Sequence, residues 1–102
     1  MKNLTMIVPT DVKQALADTL RGLKQVPGFT FTPVEGHAAF SGEERRMSAR
    51  DRVVGYVPHV RVDIVLDDKD LEDVLEALRQ SQVGLAGRGS YWITKVERLG
   101  QL

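Results

Sequence analysis

Near residue 66 the hydrophobic period of this chain changes from two to three and a half within a few positions. In "HVRVDIVL" Val60, Val62 and Ile64 point one way and His59, Arg61 and Asp63 the other, as in a half-buried strand. "DDKDLEDVLEALR" then sets Leu71, Val74, Leu75 and Leu78 at helical steps. Asp67 and Asp68 open that helix, with acids in its first turn to complement the dipole. The same switch occurs at the start of the chain. Leu4, Met6 and Val8 alternate up to Pro9, and Val12, Leu16, Leu20 and Leu23 then follow a helical stripe behind an Asp11/Gln14 capping box.

Two strand-to-helix units in 102 residues leave room for one core and one domain, residues 1–102. "FTFTPV" from Phe29 and "SYWITKVERL" from Ser90 supply two further strands. The order is β-α-β, a long loop, then β-α-β. The fold class is therefore α+β, a ferredoxin-like βαββαβ domain with two helices on one face of a four-stranded antiparallel sheet. The other face carries threonines, Tyr or Trp, and the His59/Arg61/Asp63 row, so a partner chain is expected to cover it.

Fourteen basic and fourteen acidic residues cancel, which gives no field to attract nucleic acid. The absence of cysteine removes disulfides and thiolate metal sites and fits a reducing compartment. No apolar stretch reaches signal-peptide or membrane-span length, so the expectation is a cytoplasmic protein without membrane insertion.

Three features could carry chemistry. "GLAGRG" places three glycines and an arginine in six residues before the last strand. Its G-x-x-G-x-G spacing and its exit into a strand exclude a dinucleotide fingerprint. Two readings remain: backbone N–H groups turned inward around an anion with Arg88 adding charge, or a plain helix-to-strand turn. The second feature is "AAFSGEERRMSARDR", residues 38–52, with seven charged residues and no period. It reads either as a solvated segment with local ion pairs or as a loop that becomes ordered on a ligand or partner. Third, His37 and His59 could bind a metal, but two imidazoles without a carboxylate pattern do not define a site. Ser41, Ser48 and Ser90 lack a nucleophile context, so no catalytic residue is expected.

In chain order, four stretches resemble the PII signalling superfamily. "VPTDVKQAL" is similar to its opening strand and helix. "PGFTFTPVEGHAAF" resembles the G-x-T-x-x-x-V-x-G run that leads into the family's T-loop. "YVPHVRVDIVLDDKDLEDVLEALR" resembles its central strand and helix, and "VGLAGRGSYWITKVE" its B-loop, T-G-x-x-G-x-G followed by a strand. This resemblance implies a homotrimer that binds adenine nucleotide (ATP, ADP or AMP) in clefts between subunits. It also implies a long, flexible T-loop at about 38–53 that contacts a transporter, channel or enzyme. By position, Gly84, Gly87, Arg88 and Gly89 would line the phosphates, with Leu85, Ala86 and Ser90 completing the loop. Thr30, Asp63 and Val65 would surround adenine and ribose. Gly36 and His37 would sit at the T-loop base, and His59 and Arg61 where the family often has lysines facing the cleft.

The chain also departs from the family. Ser90 replaces a phosphate-binding lysine and Val83 the B-loop threonine. No arginine pair follows the last strand, no tyrosine lies in residues 38–52, and the T-loop-base glutamine that helps bind 2-oxoglutarate is absent. These changes put ADP or AMP level with ATP and remove the features of a nitrogen sensor. The "SARDRVVGYVPHVRVDIVL" segment looks closer to the branch associated with inorganic-carbon uptake and carboxysomes. There bicarbonate would be a second ligand, bridged by Arg61 or a T-loop arginine, with a carbon-uptake transporter as partner. The alternative is the branch associated with heavy-metal efflux, in which the protein would respond to a metal.

Overall fold

The computed structural model describes residues 1–37, 57–85 and 87–102. Its elements are β1 (Lys2–Pro9), α1 (Lys13–Arg21), β2 (Thr30–Gly36), β3 (Val57–Leu66), α2 (Leu71–Gln80) and β4 (Ser90–Lys95). The strands form one four-stranded sheet in the order β2-β3-β1-β4, with every neighbouring pair antiparallel. This is the ferredoxin-like arrangement, and its topology follows from the two units read in the sequence. Each strand-helix-strand unit leaves a gap in the sheet that a strand of the other unit fills.

The alternation determines what is buried. Leu4, Met6 and Val8 of β1 and Val60, Val62, Ile64 and Leu66 of β3 lie on the helix side of the sheet. Leu16 and Leu20 of α1 and Val74, Leu75 and Leu78 of α2 close over them. Leu4, Leu16, Leu20, Val62 and Ile64 are fully inaccessible. Each such side chain contributes about 1.5–3 kcal/mol by leaving water. Phe29 and Phe31 pack against this core with ring centroids 5.3 Å apart. The Lys13 and Arg21 cations lie 5.6 and 6.0 Å from the Phe31 and Phe29 ring centroids, which ties α1 to the β2 side of the sheet.

Element ends differ from the sequence expectation for local reasons. A 3-10 turn at Thr10–Val12 precedes α1, and no side chain caps it. The expected Asp11/Gln14 box does not form because both side chains have other partners. Gln14 donates to Asp18 at 3.1 Å, and Asp11 accepts from Arg88. α1 stops at Arg21, before Gly22, so Leu23 lies beyond it and is only partly buried. β4 ends at Lys95 because its partner β1 begins at Lys2, which faces Lys95. The segment expected to form a T-loop, at about 38–53, lies outside the described residues.

The second face of the sheet has its own order. Pairing places Trp92, Thr5, Asp63 and Thr30 in one row across β4, β1, β3 and β2, and Ser90, Ile7, Arg61 and Thr32 in the next. Trp92 therefore faces away from the helices, while Tyr91, paired with Met6, lies on the helix side.

Candidate functional site

The glycine loop enters β4 at the end of the sheet where β1 and β2 finish and β3 starts. Gly84 and Gly87 have φ of +89° and +68°, a region that side chains with a Cβ rarely adopt. The Arg88 amide donates to the Leu85 carbonyl at 2.9 Å, which tightens the turn between these glycines. With Leu85, Gly89 and Ser90 they line a cleft of about 530 Å3. Its floor is Met6, Val8, Leu75 and Leu78, and Arg79 and Tyr91 stand at its rim, with Arg79 donating to the Tyr91 hydroxyl at 3.3 Å. The Ser90 hydroxyl is buried with no partner among the described residues. Ala86 lies outside the described residues.

Arg88 belongs to this loop but is not part of the cleft wall. Its Nη2 donates to both Asp11 carboxylate oxygens at 2.9 Å, across 77 positions of sequence.

On the open sheet face, Asp63 is the hub of a polar network. It accepts from Thr5 Oγ1 at 2.9 Å, from Asn3 Nδ2 at 3.3 Å, and from Arg61 Nε and Nη2 at 3.0 and 3.2 Å. Burial pushes its carboxyl pKa up. The hydrogen bonds from Arg61, Thr5 and Asn3, together with the Arg61 charge, outweigh that and hold it below the ordinary carboxylate value. The same contact, chiefly its hydrogen bond, raises the Arg61 pKa. The Arg61 guanidinium also lies 5.7 Å from the Trp92 ring centroid. Of this network, the sequence singled out Asp63 and Arg61 but not Thr5 or Asn3. The Thr5-to-Asp63 pairing is a fact of register, and no local motif carries it.

The expected site residues thus fall into three groups. Gly84, Leu85, Gly87, Gly89 and Ser90 line the cleft beside β4. Gly36 ends β2 and His37 follows it, where the His37 ring donates to Glu35 at 2.9 Å, and His59 packs under Gly36. Thr30, Asp63 and Val65 lie farther down β2 and β3, with Thr30 opposite Asp63. The first group is at the β4 edge. Thr30 is on the β2 edge, two strands beyond β1. At about 4.8 Å per strand, the sheet separates the two edges by about 15 Å. Among the described residues no three His, Asp or Glu side chains cluster as a metal would require.

Comparison with known proteins gives a consistent result. The family described as "Protein of unknown function (DUF3240)" matches residues 1–102. The chain is 33% identical over 90 residues to the Nitrogen regulatory protein P-II of Rhizobium meliloti (strain 1021), covering 87% of this chain and 76% of that protein. It is 29% identical over 97 residues to the Nitrogen regulatory protein P-II 1 of Methanothermobacter thermautotrophicus, covering 94% and 84% of the two chains. A crystal structure of a DUF3240 family protein from Shewanella baltica OS155 superposes with a TM-score of 0.75 at 23% identity, over 99% of this chain and 94% of that one.

Proposed function

We propose, from the premise that this chain belongs to the DUF3240 family and to the PII-like signalling proteins, that it is a non-enzymatic regulator that binds an adenine nucleotide. ADP, AMP or ATP would lie in a cleft between subunits of a homotrimer. The observation that carries this reading is the glycine loop. Gly84 and Gly87 hold left-handed backbone conformations beside the cleft, at the sheet end from which the charged segment 38–52 departs. Amides in such a turn form a concave donor set for phosphate.

The separation of the site residues supports placing the ligand between subunits. One chain holds the glycine loop at the β4 edge and Thr30 at the β2 edge, so a single nucleotide reaches both kinds of residue most directly where two copies meet. Output runs through the T-loop: a ligand that favours one loop state by a few kcal/mol redistributes the population and changes what a transporter or enzyme partner meets.

Bicarbonate is the proposed second ligand and inorganic-carbon uptake the proposed process. Arg61 is already engaged by Asp63, so a bound bicarbonate would join that pair or use Arg45, Arg46, Arg50 or Arg52 of the T-loop. A second reading, a metal-responsive accessory protein of an efflux system, draws on the Glu35–His37 pair at the T-loop base. Calorimetry with ATP, ADP and AMP, each with and without bicarbonate, tests the first reading. Heat from at least one nucleotide is expected, and no heat from any of them removes it. Stabilisation by Zn, Cu or Ni in place of nucleotide selects the second; a ligand at a hundred times its Kd adds about 2.7 kcal/mol.

A further inference from the structure

Arg88 is the only cation in the glycine loop, residues 84–90, yet its side chain turns away from the cleft. It runs back past Gly84, where a Cβ would lie 3.9 Å from Arg88 Nη1 and 3.9 Å from Val12 Cγ1. The guanidinium then meets Asp11 through two contacts of 2.9 Å. Arg88 is 19% exposed in this pair and Asp11 67%. The contact fastens the loop before β4 to the turn after β1. It also places a carboxylate on the charge that an incoming anion would use.

We infer that Asp11 is a resident counter-anion of Arg88 that a phosphoryl group displaces, so that it sets both the affinity and the ligand class of the glycine-loop site. This inference rests on the nucleotide reading above. An ion pair with so exposed a carboxylate shifts an equilibrium by less than about tenfold, so displacement is within reach of a modest ligand. A free monocarboxylate gains nothing from the exchange. It substitutes one carboxylate for another and competes with a tethered group at about millimolar effective concentration. A terminal phosphoryl group differs, because it brings up to about two charges and three acceptor oxygens to the arginine fork and the loop amides together. The site therefore selects phosphoryl-terminated ligands over carboxylates of similar size.

The test is calorimetric titration of the full chain with ADP, inorganic pyrophosphate and acetate. The variants are Asp11→Asn, Arg88→Ala, Arg88→Lys and the double variant Asp11→Asn/Arg88→Ala, each checked for folding by circular dichroism. Asp11→Asn is expected to bind ADP about two- to fivefold more tightly than wild type. That gain should vanish in the Arg88→Ala background, because Asp11 acts through Arg88. Wild type should take up pyrophosphate but not acetate. Should Arg88→Ala unfold, Arg88→Lys serves in its place: it keeps the charge, loses the fork, and should shrink the gain. If wild type binds ADP and Asp11→Asn binds it no better, the counter-anion role is overturned and the nucleotide reading stands. A gain that persists without Arg88 also overturns it, since Asp11 would then act only through its field. Acetate binding as tight as pyrophosphate overturns the ligand class. No ADP binding by any folded variant removes the nucleotide reading and this inference with it.

Discussion

Asp63 shows how one side chain organises the sheet face turned away from α1 and α2. Its carboxylate takes four hydrogen bonds from Thr5, Asn3 and Arg61, and Thr5 is fully buried beneath them. Because the folded-state pKa of Asp63 is lowered, the unfolded chain binds its proton more readily. Its stabilising contribution is complete above the ordinary carboxylate pKa, about 4, and is lost as pH falls through the lower folded value. Asp63→Asn keeps the shape but removes the charge. It should lower stability at pH 7 by about 1 kcal/mol, reduced from the full charge-assisted value because Asp63 is partly exposed. The gap to wild type should close as pH drops below about 4. Urea unfolding at several pH values measures it. A gap that stays constant down to pH 3 would mean that the charge is not what holds the network.

At the scale of elements, the end of β2 depends on a close approach to β3. A Cβ on Gly36 would sit 2.3 Å from His59 Nδ1 and 2.6 Å from Cε1, and His59 is only 3% exposed, so its ring has little room to retreat. Gly36→Ala should therefore cost about 1–3 kcal/mol. His59→Ala opens the space the new methyl needs, so the double variant should be destabilised by less than the two single changes together. Additive losses in urea unfolding would mean that the backbone, not the imidazole, resists the methyl. This packing also marks the limit of the sequence. Strands and helices were legible because Leu4/Met6/Val8 and Leu71/Val74/Leu75/Leu78 carry their periods locally. The glycine loop was legible as a candidate because Gly84, Gly87 and Gly89 are consecutive punctuation. Three features could not be read. Gly36 against His59 depends on strand register, the Asp63 hub on which β1 residue faces it, and the Asp11–Arg88 pair on a contact across 77 positions. Asp11 in particular looked like a helix cap, since local spacing cannot show a competing partner from the far end of the chain.

For the whole molecule, the two sheet edges are unequal. β2 carries Pro33, which has no N–H to offer a new strand, and Glu35, a charge that discourages pairing. β4 has no such guard in its centre: Tyr91, Trp92 and Ile93 are 48%, 42% and 38% exposed in succession. An edge with three consecutive large apolar residues is a surface that a single chain leaves unfinished. Trp92 is the chain's sole tryptophan, so its emission reports on this edge alone. If the proposed homotrimer forms, sedimentation should give three times the 11.4 kDa chain mass. Dilution should then shift the Trp92 emission to the red as the ring meets water. Trp92→Lys places a charge on the open face beside Arg61, which should favour smaller species and weaken nucleotide binding together, because a cleft between copies disappears with the copies. A wild-type chain that sediments as a monomer yet binds ADP would keep the glycine loop as the binding element. It would also move the whole site into one subunit, where the cleft over Met6, Val8, Leu75 and Leu78 is the place left to hold the base.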